Sequence, residues 1–309
     1  MKAVRNAPPT VEVVEIDEPD GPGELVRVAS TGICASDLLY LRFGSTQIAG
    51  HEFAGVLEDG TPVAVEAIFG CADCEECNVG NYNRCRNGVQ GLGMMDPGGM
   101  SEWFRAPKHA LVPLPTGLAA RDAALVEPGS VALHACHGGH VGPDTTVAVV
   151  GAGAIGILAA AASQSLGAPA VAIEARHPHQ HAARERIGAA EAVGEYDVVI
   201  ETAGSESGLR RAVELARPGG TVVILGIYDA DTSWPHHEAF MREVALRPSI
   251  GYCGHHGTRD FAATAELLAS RPELVDTLIT HRFPIDDAPE AFRVASDRSQ
   301  GVFRVVVES

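Results

Sequence analysis

The segment VAVVGAGAIGILAAAA (residues 147–162) constrains the fold of this chain more than any other stretch. It places the pattern Gly-x-Gly-x-x-Gly directly after an apolar, strand-like run and directly before a helix-like one. The first glycine permits a tight turn, the second lets a pyrophosphate approach the backbone, and the third lets the helix pack on the strand. We therefore predict a dinucleotide-binding turn made by Gly151, Gly153, Ala154, Ile155 and Gly156.

The next strand-like run, AVAIE, ends in Glu174, 23 residues beyond Gly151. A carboxylate at this position can bind the ribose hydroxyls and would repel a 2′-phosphate, so NAD is expected in preference to NADP. Arg176 follows two residues later and could contact a phosphate, although a solvated loop arginine is the commoner interpretation. Further cofactor contacts are expected where the later strand-like runs end, at Thr202, Ala203, Leu225 and Ile227.

The chain changes character near residue 128. Short strand and loop patterns fill residues 1–128, whereas apolar strands alternate with helix-like stretches through residues 129–254, including GLRRAVELARPGG with its Pro-Gly-Gly stop signal. The alternation predicts a parallel sheet covered on both faces. Residues 255–309 are expected to return to the first, β-rich domain and to end in a strand, VFRVVVES.

The crossover after Glu174 is unusually short. Only 22 residues separate Glu174 from Asp197, enough for one short helix and perhaps a strand at residues 190–193. Three residues then remain before DVVIE, whereas a parallel crossover needs about a dozen. We predict that the usual third strand, or the helix after it, is missing, and that the sheet is trimmed on its adenine side.

The net charge disfavours two classes of partner, and the cysteine content indicates the compartment. A formal net charge of -17 disfavours nucleic acid and anionic membrane surfaces, because their phosphates would be repelled. Residues 145–173 carry no charged side chain, but their glycines and Pro169 favour strand, turn and helix over a membrane span. No basic-then-apolar leader pattern opens the chain, so its seven cysteines favour a reducing compartment, and we expect a cytoplasmic protein.

Four of the cysteines lie in the segment CADCEECNVGNYNRC. The spacings of Cys71, Cys74, Cys77 and Cys85 match a closed tetrahedral zinc site within a lobe at residues 70–86, with an iron–sulfur cluster as the rival. Four thiolates leave no open position for a substrate, so chemistry at this ion is not expected.

An open metal site needs other ligands. TGICASD places Cys34 after a strand, AGHEFAG places His51 and Glu52 after a loop, and LVEPGSVALHA places Glu127 where the β-rich region ends. Each residue alone has a plain structural interpretation, such as a core cysteine or a helix boundary. Their appearance together, in this order, favours a metal centre.

These segments resemble the zinc-dependent medium-chain dehydrogenases/reductases, which include alcohol, polyol and threonine dehydrogenases. The resemblance runs from TGICASD, GHEFAG and the four-cysteine lobe through GGMSEWFRAP and GAGAIG to LITHRFPIDDAPEAF. It implies an α/β protein with a Rossmann-type parallel-sheet cofactor domain and a β-rich, GroES-like catalytic domain.

The resemblance also implies roles. Cys34, His51 and Glu127 correspond to ligands of a catalytic zinc, with Glu52 as a ligand or near neighbour that exchanges with water. Ser36 corresponds to the hydroxyl that passes the alcohol proton to the cofactor ribose. Many relatives finish this relay with a histidine where this chain has Leu39. The four-cysteine lobe corresponds to the family's structural zinc, so two zinc ions per chain are implied.

The expected function is hydride transfer between NAD(H) and a secondary alcohol or polyol, or the corresponding carbonyl, in a homodimer or homotetramer. Zinc would act as a Lewis acid on the substrate oxygen. The alternative is a nucleotide-binding redox sensor or remnant that keeps only the structural zinc. A zinc-independent quinone or enoyl reductase is disfavoured, because those relatives lack this ligand set.

Overall fold

A computed structural model describes residues 1–228, 232–297 and 300–309. The chain forms two compact units. The first unit comprises Met1–Glu127 and Cys253–Ser309, and the second unit comprises Pro128–Tyr252. Among the described residues, no helix has both the length and the apolar character that crossing a membrane requires.

The N-terminal part of the first unit is mostly strands. These are β1 (Lys2–Ala7), β2 (Thr10–Glu15), β3 (Glu24–Ile33), β4 (Glu52–Leu57), β5 (Pro62–Val65), β6 (Ile68–Phe69), β7 (Gln90–Gly91), β8 (Trp103–Ala106) and β9 (Leu111–Pro113). Two short helices interrupt them, α1 (Ala35–Arg42) and α2 (Glu75–Asn78). Single 3₁₀ turns follow at residues 82–84, 108–110 and 123–125.

Strands and helices alternate from the unit boundary onwards. Their order is α3 (Val126–Gly138), β10 (Val147–Val150), α4 (Ala154–Ser165), β11 (Val171–Glu174), α5 (Pro178–Arg186), β12 (Ala190–Glu191), β13 (Tyr196–Glu201), α6 (Glu206–Leu215), β14 (Ala216–Ile224), α7 (His236–Met241) and β15 (Ala245–Pro248). The strands form one parallel sheet in the order β12–β11–β10–β13–β14–β15. Because β10 and β11 are buried on both faces, they are continuous apolar runs rather than alternating ones.

The third strand of this sheet is present but short, since β12 has two residues. No helix occurs in residues 192–195, all of which the structure describes, so the predicted loss falls on the crossover helix. A second detail differs from the sequence prediction. Helix α6 ends at Leu215, and Pro-Gly-Gly (residues 218–220) lies within β14, at an irregular part of its pairing with β13.

The last part of the chain completes the first unit. It contains β16 (Gly254–His255), β17 (Thr258–Arg259), α8 (Asp260–Ser270), α9 (Pro272–Leu278), β18 (Ile279–Pro284), a 3₁₀ turn (Ile285–Asp287), α10 (Ala288–Ser296) and β19 (Arg304–Glu308). Strand β19 pairs antiparallel with β3 and parallel with β18, in a sheet of order β18–β19–β3–β4–β5–β9. Strand β8 also pairs with β3. Apolar side chains of β1, β2, α10 and β19 share one core.

Candidate active site

Strand β3 delivers Cys34 to the N-terminus of α1. Cys34 has an extended backbone and caps the helix, and its N–H donates to Asp37 Oδ2 at 2.8 Å. This capping arrangement fixes the Cys34 backbone at the start of α1. The Asp37 side chain is 2% exposed, so its hydrogen bonds are shielded from water.

The next turn brings His51 to the same place. Gly50 has φ +95, and a Cβ on it would lie 2.6 Å from Thr31 Cγ2, so the turn requires glycine. His51 Nδ1 lies 3.1 Å from Asp37 Oδ1, and Nε2 lies 3.3 Å from Ser36 Oγ. Because Asp37 holds Nδ1, Nε2 is the nitrogen left to bind a metal, which is the usual arrangement of a carboxylate behind a ligating histidine.

Glu52, the first residue of β4, is completely buried. Its Oε1 lies 3.1 Å from a guanidinium nitrogen of Arg304, the first residue of β19. Its Oε2 lies over Gly32, where a Cβ would come within 2.3 Å of it, and accepts no hydrogen bond from the described residues. A buried carboxylate oxygen without a donor costs free energy unless a cation or water satisfies it.

The ligand atoms of Cys34, His51 and Glu52 lie within 4.8 Å of one another. Ligand atoms around a tetrahedral zinc are roughly 3.3–3.8 Å apart, so small side-chain adjustments would close this group around one ion. Glu127 is outside that group of three. It lies in the first turn of α3, is 6% exposed, and is close enough to interact electrostatically with His51 and Cys34.

The electrostatics of these residues favour a bound cation. Burial raises the pKa of both Glu52 and Glu127 to about 7, with smaller opposing contributions from Arg304 and His51. Burial would lower the pKa of His51, but the Asp37 carboxylate outweighs it and raises that pKa well above its usual value. The site therefore gathers buried acids around few positive groups, and a divalent cation would relieve their repulsion. These residues fit a zinc ion.

The four-cysteine lobe has the geometry of a second metal site. The ligand atoms of Cys71, Cys74, Cys77 and Cys85 also lie within 4.8 Å of one another. Cys74 Sγ and Cys85 Sγ are 3.8 Å apart, which is the spacing of roughly 3.8 Å that Zn–S bonds of about 2.3 Å impose in a tetrahedron. Backbone N–H groups also point at sulfur, as from Cys74 to Cys71 Sγ at 3.3 Å, and so stabilise thiolates.

A buried ion pair anchors this lobe to the rest of the first unit. Tyr82, which lies in the lobe, donates its O–H to Glu66 Oε1 at 2.7 Å. Arg259, the last residue of β17, donates Nε to the same oxygen at 3.0 Å and also pairs with Glu66 Oε2. Next to it, the Gly254 N–H donates to Gly80 O at 2.8 Å. The C-terminal segment therefore holds the lobe in place.

The glycine turn is tightly packed at two of its three glycines. Gly151 has φ +104, and a Cβ on Gly156 would lie 1.8 Å from Gly151 O, so helix α4 could not pack there with a larger residue. A Cβ on Gly153 would meet nothing within 4 Å. This open space beside the N-terminus of α4, which begins at Ala154 and Ile155, fits a pyrophosphate.

Glu201 organises the loops at the ends of β13 and β14. Its buried carboxylate accepts from the N–H groups of Ala203 and Gly204, at 2.8 and 2.9 Å, and from the O–H of Tyr228 at 2.7 Å. These bonds place four predicted cofactor residues on neighbouring loops of the second unit: Thr202, Ala203, Leu225 and Ile227. Ile227 is 66% exposed. Burial raises the pKa of Glu201, and its three donors oppose that shift.

Glu174 ends β11, as predicted, but it has a partner that the sequence did not indicate. Arg211 in α6 donates Nε to Glu174 Oε2 at 2.5 Å. Arg176 is exposed, and its backbone N–H donates to Gln180 Oε1 at 2.9 Å.

Two family profiles together match nearly the whole chain. The "Alcohol dehydrogenase GroES-like domain" matches residues 21–116, and the "Glucose dehydrogenase C-terminus" matches residues 120–308. The chain belongs to the zinc-dependent medium-chain dehydrogenase/reductase family. This confirms the family and the fold class predicted from the sequence, and it favours the enzyme over the non-catalytic alternative.

Named proteins resemble the chain over most or all of its length. A protein named probable D-xylulose reductase A from Arthroderma otae is 30% identical over 88% of this chain and 86% of its own length. Sorbitol dehydrogenase from Macaca fascicularis is 29% identical over 91% and 88%. The crystal structure of galactitol-1-phosphate dehydrogenase from Escherichia coli superposes with a TM-score of 0.89 at 26% identity, covering 100% of both chains.

The sequence did not predict three residues: Asp37 and Arg304 beside the candidate metal ligands of the first unit, and Arg211 beside Glu174 in the second unit. Asp37 was visible within TGICASD, and its spacing from Cys34 on a helix N-terminus could have indicated a capping role. No local signal marks Arg304 or Arg211, because each acts on a residue far away in the sequence.

Proposed function

We propose that this chain transfers hydride between NAD(H) and a secondary alcohol or polyol, or the corresponding carbonyl, with the help of zinc. One observation carries the proposal. A thiol, an imidazole and a carboxylate, from Cys34, His51 and Glu52, converge in a buried, acid-rich site. Relatives named for xylulose, sorbitol and galactitol 1-phosphate support a polyol or similar alcohol as substrate.

Cys34 and His51 would hold the catalytic zinc, with carboxylate from Glu127, Glu52 or both. When bound, zinc supplies a Lewis acid that polarises the substrate oxygen and favours hydride transfer. Asp37 fixes the ring of His51 and so presents Nε2 to the ion. Arg304 offsets the charge of Glu52, which would otherwise compete more strongly for the metal.

Ser36 would receive the proton that leaves the alcohol. It is 8% exposed, and its Oγ lies 3.3 Å from His51 Nε2, beside the proposed metal position. A hydroxyl can accept one proton and donate another in a relay. Leu39 can do neither, so we propose that the proton goes from Ser36 to the cofactor ribose and then to water.

We also propose a coenzyme, a metal content, an oligomeric state and a location for this chain. Glu174 supports NAD as the coenzyme, and the two ligand groups support two zinc ions, with the structural ion in the four-cysteine lobe. A homodimer or homotetramer is supported by the strand β15 at the edge of its sheet and by Ile250, which is 78% exposed. Clustered thiols support a reducing, cytoplasmic location.

Zinc analysis and a substrate screen test the proposal. Purified protein should contain the two zinc ions and should form NADH from at least one secondary alcohol or polyol. Cys34→Ala should remove one ion and all turnover while leaving NADH binding intact. Cys136→Ala, at a buried cysteine in α3, should keep both ions and serves as the matched control. Turnover that survives Cys34→Ala would show that the catalytic assignment is wrong.

A further inference from the structure

At the β12 edge of the parallel sheet, where adenine is expected to bind, no helix lies between β12 and β13. Residues 192–195 form no helix, although the structure describes all of them, and both residues of β12 are exposed. Val193 is 76% exposed, which is unusual for an apolar residue beside a sheet. In a full crossover a helix would follow β12 and cover this part of the sheet near the end of β11. Because that helix is absent, other elements of the second unit must supply the side chains around Glu174.

Helix α6 supplies a side chain to this region. The helix packs against β10, β13 and β14, and from it Arg211 reaches the carboxylate at the end of β11. Arg211 Nε is 2.5 Å from Glu174 Oε2, and a terminal nitrogen of Arg211 is 3.2 Å from Glu214 Oε2. Glu174 therefore has one oxygen, Oε1, left for ribose hydroxyls, and its negative charge is reduced by a guanidinium that it shares with Glu214.

A pocket of about 500 Å³ surrounds this pair. Its lining residues are polar or charged: Glu174, Arg176, Glu206, Ser207, Arg210, Arg211 and Glu214. Arg210 pairs with Glu206, so Arg211 is the cation that lies beside Glu174. A site that rejects a phosphate by repulsion needs an uncompensated carboxylate, and Arg211 prevents Glu174 from acting as one.

We propose that Arg211 makes this pocket tolerant of the 2′-phosphate of NADP(H). The chain then binds NADP(H) and NAD(H) with affinities within about tenfold of each other, because the guanidinium cancels the repulsion from Glu174 and offers charge-assisted donors. Arg176, exposed two residues beyond Glu174, can add a second cation. This inference rests on the proposed function, since it needs the pocket to bind a nicotinamide dinucleotide. It widens the coenzyme from NAD(H), which Glu174 by itself would favour, to both coenzymes, because Arg211 is paired with that carboxylate.

Equilibrium binding to the zinc-loaded protein, without substrate, tests the proposal. Titration of NADH and NADPH, followed by their fluorescence, gives Kd for each coenzyme. Arg211→Gln should raise Kd for NADPH by about tenfold or more, the size expected for a lost charge-assisted contact, and change Kd for NADH less than about threefold. Glu174→Gln should lower Kd for NADPH and raise Kd for NADH.

Arg210→Gln is the matched control. Arg210 lines the same pocket and precedes Arg211 on α6, but it lies 3.8 Å from Glu206 and 3.5 Å from Glu238 rather than beside Glu174. It should change neither Kd by more than about threefold. Wild-type protein that binds NADH more than about tenfold better than NADPH would overturn the inference, as would equal effects of Arg210→Gln and Arg211→Gln. If neither coenzyme binds, the proposed function itself fails.

Discussion

Replacing Arg259 by methionine should destabilise the first unit, because it would leave the Glu66 carboxylate buried without a cation. The Glu66 side chain is 2% exposed, and Arg259 contacts both of its oxygens. Tyr82 would still donate to Oε1, but a single phenol cannot replace a guanidinium as a partner for a buried charge. Arg259 also donates to the Leu111 carbonyl at 3.3 Å, a smaller loss.

The expected cost is about 3 kcal/mol of unfolding free energy. Removal of one partner from a buried ion pair costs about 3–5 kcal/mol. The lower end applies here, since the Arg259 side chain is 32% exposed and water can reach part of the site after the change. Arg259→Met in a Glu66→Gln background should cost about 1 kcal/mol or less, because no charge is then left buried.

The cost should depend on pH in a defined direction. Burial already raises the pKa of Glu66, and Arg259 opposes that rise. Without Arg259 the folded-state pKa moves further above the unfolded value, so a protonated Glu66 relieves the penalty at low pH. The loss of stability should therefore be full near pH 8 and should shrink as the pH falls through the folded-state pKa towards about 4.5.

The two tryptophans provide the assay. Trp103 lies in β8 of the first unit and Trp234 in the second, and the chain has no third tryptophan. In a Trp234→Phe background, urea unfolding followed by Trp103 fluorescence reports on the first unit alone. A cost below about 1 kcal/mol at pH 8, or the same cost with and without Glu66→Gln, would refute the reasoning.

Two further predictions concern the glycine turn and the residue behind His51. Gly153→Val should weaken NADH binding at least about tenfold with little change in Tm, because it fills the open space beside α4, whereas Gly156→Ala should lower Tm through its clash with the Gly151 carbonyl. Thermal melts and NADH titrations separate the two, and an unchanged Kd in Gly153→Val would contradict the assignment. Asp37→Asn should weaken zinc binding about 10–100-fold, measured by competition with a chelator. Retention of wild-type affinity would show that Asp37 does not support His51.

Local motifs explain why much of this site could be predicted. The glycine turn and the four cysteines each depend on spacings within about fifteen residues, so their geometry follows from chain connectivity. The loss of the crossover helix could also be predicted from a residue count, because too few residues lie between β12 and β13 to form one. That count could not decide whether a two-residue strand such as β12 would form, since its pairing depends on β11.

Long-range partners could not be predicted in this way. Arg304 meets Glu52, and Arg259 meets Glu66, across most of the chain's length. A single arginine in a strand or at a helix start looks like any solvated surface residue in the sequence. The order of strands in the sheet, with β19 next to β3, brings Arg304 to Glu52, and the tertiary packing of the β16–β17 hairpin brings Arg259 to Glu66.

The interior position of β19 has a consequence for biosynthesis. Residues of the second unit are contiguous in the chain, so this unit can fold once residue 252 has left the ribosome. The first unit cannot, because the strand between β3 and β18, together with the arginine that balances Glu52, is synthesised some 250 residues after β4. Until then residues 31–33 of β3 lack the strand that pairs with them on one side, and this is the stage at which nascent chains would most need a chaperone.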